Sequence, residues 1–315
     1  MRKITMIVAV VISFTSVAQD VIVVSAGSTA KPMTVNKKGD LNDSIREFDR
    51  NAKMFISEPE YECLYSYVIN NPAKGDTIKE ITTCILQIGD GVGRFSDYTT
   101  FCGDSVRHCL GADDHDIREA DNREWQNIYA FDEIVYQNMP NGKMTIFGSI
   151  VPNCYVYEEE ANPIEWEIVE GTDSVCGYEC MVAEGEYGGR RWRAWFTPEI
   201  PVAMGPWKIG GLPGLVMKVA DKDNVHVFEA ISFRKGEVPI YRPNWPDAVK
   251  TDRNKFVKNK NEFESYSDPI KHIPVESIKS IAITKATGGN NDATMVFNGV
   301  PLRKKENGYV ARELE

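Results

Sequence analysis

From Tyr61 onward the chain alternates. Tyr61, Cys63, Tyr65, Tyr67 and Ile69 fall on one phase of a two-residue period, and Glu62, Leu64, Ser66 and Val68 fall on the other. That is the pattern of a strand with one face in a core. Asn70-Asn71-Pro72 breaks the run; Thr82, Cys84, Leu86 and Ile88 restart it; Gly89-Asp90-Gly91 interrupts it, and residues 94–98 take it up again. Short alternating segments separated by turn residues are hairpin signals, so this stretch is expected to form an antiparallel arrangement.

The rhythm changes over 102–139. Residues 104–138 are charged and place Ile117, Trp125, Ile128, Phe131 and Ile134 at spacings nearer three or four, which predicts a loop followed by a helix inserted between strands. Strands are predicted again over 143–150, after the turn-prone Asn141-Gly142, and over 154–157 and 165–169. Residues 176–183 and 190–196 read as a hairpin around Glu184 to Gly189, and 215–220 and 225–233 as another around Asp221 to Asn224. A helix is predicted over 252–265, weak strands near Ile281 and Met295, and a short helix over 41–54 capped by Asn42 or Asp43. The expected fold class is mainly β, a β-rich α+β chain. Its antiparallel sheet takes the form of a sandwich or of an incomplete barrel closed by helices, with a helical insertion.

The N-terminus predicts export. Arg2 and Lys3 precede an apolar run over 4–12, and Ser16-Val17-Ala18 sets small residues where a signal peptidase reads, so the mature chain is expected to begin at Gln19. The order basic, apolar, small favours this reading over an N-terminal core helix. The apolar run is shorter than the ~20 residues that span a bilayer, and no later stretch approaches that length, so no transmembrane segment is expected. The first cysteine is Cys63, far from the cleavage point, which favours a free periplasmic or secreted protein over a lipoprotein. The expected division is a signal peptide over 1–18, a polar lead-in over 19–57, a β domain over 58–235 with insertion 102–139, and a C-terminal extension over 236–315.

Charge excludes one class of partner. Processing removes two cations and no acid, taking the net charge from −10 to −12, and pairs such as Lys37-Lys38 and Lys304-Lys305 are scattered among acids. Nucleic acid binding draws on clustered cations, so none is expected. The 42% apolar composition is sufficient for a substantial core. Seven cysteines, an odd number, leave at least one unpaired even in an oxidising compartment. Cys102 and Cys109 enclose a loop containing a glycine and a serine, and they are the disulfide candidates. Cys176 and Cys180, placed in one strand, would lie about 13 Å apart, past the ~7 Å limit for a bridge, and read as small buried hydrophobes.

No motif for a serine nucleophile elbow, HExxH metal site, CxxC pair or P-loop occurs, so no catalytic residue and no cofactor is assigned. Gly89-Asp90-Gly91-Val92-Gly93 superficially resembles a dinucleotide loop but lacks the final spacing, and reads as a hairpin turn. The densest donor cluster is His108, Cys109, Asp113, Asp114, His115 and Asp116. His108, His115 and Asp116 are the weak metal candidates in it, set against a solvated loop. His226 reads as a satisfied strand residue, and Glu158-Glu159-Glu160 as the charged surface of a polar loop.

The segment 190–216 carries more identity. Gly211-Leu212-Pro213-Gly214-Leu215-Val216 matches a Gly-Leu-Pro-Gly-Leu-Ile motif at five of six positions. Around it stand Trp166, Gly177-Tyr178-Glu179-Cys180, Ala194-Trp195-Phe196-Thr197, Ile200-Pro201 and Gly205-Pro206-Trp207. Leu86-Gln87-Ile88-Gly89 and Phe95-Ser96-Asp97-Tyr98 extend the match upstream. By these residues the chain resembles the GLPGLI (Porph_ging-type) family of exported Bacteroidota proteins. The resemblance implies an envelope location near outer-membrane transport systems and brings no established activity with it.

In physical terms Leu212-Pro213-Gly214-Leu215 predicts a type II turn, with proline and glycine at its two centres. Two readings of the motif follow: a tight connection whose leucines plug the core, or a ligand groove roofed by Trp195, Trp207 and Trp245 with Arg191 and Arg193 as anion or cation-π partners. In the strand from Arg190, Trp192, Ala194 and Phe196 share one face while Arg191, Arg193 and Trp195 share the other. The leading functional expectation is a non-enzymatic binding or transport-accessory protein, its partner a hydrophobic or peptide-like ligand or an outer-membrane transport system. The alternatives are a metal-binding protein or metal-dependent hydrolase using the His108–Asp116 cluster, and a structural component of an envelope complex.

Overall fold

The computed structural model describes residues 21–24, 47–71, 78–127, 131–161, 163–284, 294–303 and 308–314. The signal-like segment and residues 41–46 lie outside these. Its strands are β1 (Val21–Val24), β2 (Phe55–Ser57), β3 (Tyr61–Asn70), β4 (Ile78–Gly89), β5 (Val92–Asp97), β6 (Ile134–Gln137), β7 (Lys143–Ile150), β8 (Asn153–Glu160) and β9 (Glu167–Val175). They continue as β10 (Tyr178–Tyr187), β11 (Arg190–Thr197), β12 (Leu215–Asp221), β13 (His226–Lys235), β14 (Ile240–Tyr241) and β15 (Val249–Lys250), and β16 (Ile281–Ile283), β17 (Met295–Phe297) and β18 (Val300–Pro301) form a small sheet of their own at the places expected near Ile281 and Met295. Thirteen of these form one sheet in the order β15-β8-β7-β6-β5-β4-β3-β13-β12-β11-β10-β9, with β1 beside β4, and β14 pairs separately with β2. Only the β1–β4 and β15–β8 pairings in that sheet are parallel.

The period-two reading holds. In β3 the residues Cys63, Tyr65 and Tyr67 are buried and face the same core as Cys84, Leu86 and Ile88 of β4. Inward residues of both halves of the sheet, from Phe95 and Ile146 on one side to Trp192 and Phe228 on the other, belong to a single apolar cluster. The sheet therefore curls over itself into two facing halves, and its end strands β15 and β9 do not pair, so the barrel is not closed. Turn chemistry sets much of this register: β4–β5, β9–β10 and β10–β11 are joined by Asp90-Gly91, Cys176-Gly177 and Gly188-Gly189, each residue at positive φ. Such two-residue turns match the twist of the strands they join. The β10–β11 turn is thus shorter than the expected Glu184 to Gly189 loop, because the strand ladder runs on through Tyr187↔Arg190.

Helices close what the sheet leaves open. The insertion holds two of them, α1 (Tyr98–Arg107) and α2 (Asp114–Gln126), where one loop and one helix are expected from sequence. Asp97, at the end of β5, accepts from Thr99 N at 2.7 Å and caps α1, so the helix starts as the strand stops. Phe101 and Cys102 pack with Phe48, Ile85, Val238 and Tyr241 on the outer face of β4. The third helix, α3 (Arg253–Ser265), begins at the predicted place with Asp252 accepting from Lys255 N at 2.9 Å, and lays Phe256 against Tyr155 and Tyr157 of β8.

Three expectations are corrected here. Residues 47–54 are not helical: Phe48 bridges to Cys109 and Arg50 to Met54 form turns, because Phe48 is drawn into the cluster beneath α1. No disulfide joins Cys102 to Cys109. Cys102 sits inside α1 and Cys109 beyond its end, and seven residues at ~1.5 Å rise set them near 10 Å apart, past bridging range. Cys180 is buried as expected, whereas Cys176 occupies the β9–β10 turn and is exposed.

Candidate functional site

After β11 the chain leaves the sheet, crosses its interior as a strap over 198–214 and returns as β12. The strap's backbone is held from all sides. Leu215 N donates to Ile200 O at 3.0 Å and Val216 N to Met204 O at 2.9 Å. Gln137 Nε2 of β6 donates to the carbonyls of Gly205 and Trp207 at 2.8 and 2.7 Å. Tyr65 Oη of β3 donates to Val216 O at 2.7 Å. Leu212, Leu215 and Val216 are buried in the common core, so the motif fills the space between the two halves of the sheet. The predicted type II turn is replaced by a tighter one: Gly214 N donates to Leu212 O at 2.8 Å across Pro213, while Leu215 N is already engaged by Ile200. Gly211, at φ +85°, bonds through its N–H to Ala203 O at 3.0 Å.

The three tryptophans do not converge. Trp207 is fully buried against Trp192 and Tyr187, and its Nε1 donates to Glu133 Oε2 at 3.0 Å. Trp245 packs edge-on to Phe147 in a separate cluster on the outer face of the sheet. Trp195 stands on the outward face of β11, half-buried, with Lys218 Nζ and Arg193 Cζ over its ring at 5.3 and 5.7 Å. Arg191 and Arg193 share Glu184 as ion partner, at 2.6 and 3.8 Å. The expected face division of β11 is borne out, and the groove roofed by all three rings is not formed, because the strap's apolar side chains occupy that space.

What the strap does bring inward is a charge. Lys208, beside Trp207, has a side chain with no exposure, and its Nζ lies 2.6 Å from Glu313 Oε1 and 2.9 Å from Glu159 Oε1. It also donates to Tyr157 Oη at 2.9 Å and Tyr187 Oη at 3.2 Å. Burial opposes the ammonium, but Tyr157, Glu313, Tyr187 and Glu159 outweigh it and hold the lysine well above its ordinary pKa. Arg253 of α3 meets Glu313 Oε2 at 2.6 Å and Glu159 Oε2 at 3.6 Å. The Tyr187 hydroxyl donates to Glu159 at 2.8 Å. Tyr157 and Glu159 come from β8, near one end of the sheet, and Tyr187 from β10, near the other. This cluster of two cations and two carboxylates therefore bridges the seam that backbone pairing leaves open.

Glu159 thus corrects the reading of 158–160 as a loop surface, since these residues end β8 and the middle one points into the seam. Lys208, Glu313, Arg253, Tyr157 and Tyr187 are absent from the residues singled out by sequence. Only Lys208 left a signal, a lone cation between Trp207 and Ile209 in an otherwise apolar and glycine-rich run.

Above the cluster opens a cleft of about 1390 Å³ between the Gly188-Gly189 turn and α3, walled by Glu160, Glu186, Arg191, Lys222 and Lys258. Of the sequence-predicted site residues, Arg191 lies on it. Its inner end is filled by residues 308–314, which bend at Arg312. Arg190 donates to the carbonyls of Ala311 and Arg312 at 2.6 and 3.1 Å, Asn261 Nδ2 to Glu313 O at 2.8 Å, and Leu314 N to Gly188 O at 2.8 Å.

His226 joins the same group and is fully buried. Its Nε2 lies 3.1 Å from Ala311 O and its Nδ1 2.9 Å from Tyr67 Oη, contacts a neutral ring satisfies by donating from Nε2 and accepting at Nδ1. Burial, with Arg190 and Arg312 adding to it, lowers its pKa from 6.5 to about 3. The folded value lies below the unfolded one, so the unfolded chain takes up the proton first. The stabilisation is complete above pH 6.5 and is lost as pH falls toward 3. A loss of about 2 kcal/mol between pH 6.5 and about pH 5 is expected, read from urea midpoints. In a His226→Gln variant that acid slope should flatten; an unchanged slope would assign it to other groups.

The donor cluster 108–116 is divided by the fold. His108 stacks on Tyr241 at 3.8 Å, its pKa lowered chiefly by burial. Asp113, His115 and Asp116 do bring ligand atoms within 4.8 Å of one another. Asp113 accepts from His115 N and Asp116 N at 2.8 and 2.9 Å, and Asp116 returns a bond from Asp113 N, a capping box that accounts for the grouping. Asp113→Ala is accordingly expected to lower the melting temperature slightly and equally with or without added zinc or calcium. A metal-dependent rise in the wild type alone would contradict this.

A family model described as "Protein of unknown function (Porph_ging)" matches residues 188–218, which bears out the family resemblance over the β10–β11 turn, β11, the strap and the start of β12. No curated protein matches the chain. Among solved structures the chain is similar to two of PNGF-II in different space groups. The first has a TM-score of 0.45 and 16% identity, covering 74% of this chain and 38% of that one. The second has a TM-score of 0.43 and 17% identity, covering 74% and 37%. This chain therefore spans less than two fifths of those chains.

Proposed function

We propose that this protein is exported and acts, without catalysis, as a binding or transport-accessory protein of the bacterial envelope whose ligand is peptide-like. One observation carries the reading: an open cleft with charged walls meets, at its inner end, a segment of chain held through its backbone and its charged side chains alike. Recognition of main-chain carbonyls and N–H groups is how folded domains hold extended peptides, with side-chain pockets adding selectivity. The signal-like N-terminus supports export, and among the described residues no helix is long and apolar enough to cross a membrane. The Porph_ging resemblance supports an envelope setting, with an outer-membrane transport system as the partner.

The test is selection from a random peptide pool by the immobilised full chain, beside an Arg191→Glu Lys222→Glu chain that reverses two cations of the cleft wall. Peptides enriched by the first and not the second support a ligand in the cleft. Equal recovery on both chains, or none above bare matrix, would reject it.

A further inference from the structure

We propose that the slot filled by residues 308–314 is a binding site for a peptide carrying a basic residue followed by an acidic one, and that 308–314 is its resident occupant. Resting on the cleft reading above, this assigns the ligand's chemistry and position.

Two pockets of opposite sign lie side by side in the slot. The first takes a cation. Arg312 Nη2 lies 3.3 Å from both Asp132 Oδ1 and Glu133 Oε1, and its guanidinium sits 4.5 Å above the Phe131 ring. Glu133 is itself fixed by the indole of Trp207 at 3.0 Å, so the strap orients this pocket. The second takes a carboxylate. Lys208 and Arg253 reach the two oxygens of Glu313 at 2.6 Å each. With Glu313 in place the two cations face two carboxylates; without it they face Glu159, and the pocket gains net positive charge.

Around the pockets the segment's backbone is held as well, and the Tyr309 hydroxyl donates to Asn261 Oδ1 at 2.9 Å. Ala311 O accepts from Arg190 and His226, Arg312 O from Arg190, and Glu313 O from Asn261, while Leu314 N donates to Gly188 O. Arg190 is braced for this by Asp221 Oδ2 at 2.6 Å. Approach at the turn is close, since a Cβ at Gly188, which has φ +60°, would fall 3.0 Å from Glu313 Cγ. Residues 308–314 form no strand of any sheet, and Leu314 is exposed and lines the open cleft. A ligand following the same path would run from the two pockets out between Glu186, Arg191, Lys222 and Lys258.

The probe is a fluorescein-labelled peptide of residues 308–315, Gly-Tyr-Val-Ala-Arg-Glu-Leu-Glu. It is titrated by anisotropy against the full wild-type chain and the full Arg312→Ala Glu313→Ala chain, whose own occupant is weakened while both pockets remain. Binding to the variant at least about tenfold tighter than to wild type is expected, as is at least a tenfold loss when Arg and Glu are exchanged in the peptide. A folded variant that binds neither peptide, or both alike, overturns the proposal. Should that variant fail to fold, the wild-type chain with a specific protease site inserted between 303 and 308 is cut instead. Replacement of the cut segment by labelled peptide supports the slot, and retention without exchange overturns it. Loss of pool capture by the Arg191→Glu Lys222→Glu chain, with no peptide binding in the slot, would sink this inference and leave the cleft reading standing.

Discussion

Lys208→Met is expected to destabilise the folded chain by about 3–5 kcal/mol, the cost of removing one partner from a buried ion cluster. Methionine keeps the length and volume of the side chain, so little of the loss is a cavity. What remains is electrostatic. Glu159 and Glu313 would share a largely buried site, with Arg253 as their cation at 3.6 and 2.6 Å, and Glu159 Oε1 would lose the ammonium at 2.9 Å. Urea unfolding followed by tryptophan fluorescence reads the change. Adding Glu159→Gln and Glu313→Gln to Lys208→Met should return a large part of it, because neutral amides tolerate burial where paired carboxylates without their lysine do not. Should Lys208→Met unfold within about 1 kcal/mol of wild type, the seam is not held by this cluster.

The contrast between what the sequence shows and what it hides runs along the same seam. Alternation is a local property, written at every second residue, so β3, β4, β11 and the pairing of β12 with β13 can be read directly from Tyr61, Cys84, Trp192 or Val219. Helix α3 is equally plain, since Asp252 and the residues after it carry their own start signal. The first insertion helix is less visible because α1 opens on Tyr98, a residue that completes an alternating run. Only the capping bond to Asp97 decides the matter, and that bond belongs to the fold.

The charged seam is of another kind. Its members stand at 157, 159, 187, 208, 253 and 313, on two strands, the strap, one helix and the segment 308–314. No spacing rule joins residues so far apart, and each taken alone resembles an ordinary surface group. Burial creates their meaning, by removing the water that would have screened them. The tryptophans mislead for the converse reason. Trp195, Trp207 and Trp245 look alike in sequence, yet the sheet sends Trp195 outward, the strap turns Trp207 into the core, and Trp245 lies across the back of β7.

Gly214→Ala is expected to be the most damaging single change in the motif, at about 4 kcal/mol or more, or to prevent folding outright. A Cβ built there lies 2.2 Å from Thr197 O and 2.6 Å from the Thr197 carbonyl carbon. These are backbone atoms at the end of β11, and they cannot step aside as a flexible side chain would. Relief requires moving β11 or the strap, and the strap's position is set by Ile200 O holding Leu215 N and by Tyr65 Oη holding Val216 O. The motif's second glycine therefore exists to let the strap pass against the strand it has just left, and Pro213 bends the chain so that Leu212 and Leu215 both enter the core. Gly142→Ala is the matched control. That glycine is also at positive φ, +78°, but nothing lies within 4 Å of its added Cβ, so only the backbone penalty of about 1–2 kcal/mol applies. Melting of the two variants, measured side by side with expression level as a second readout, should separate them by at least about 2 kcal/mol. If Gly214→Ala were no worse than Gly142→Ala, the strap would have to lie elsewhere than against Thr197, and the placement of Lys208 and Trp207 that depends on it would fall as well.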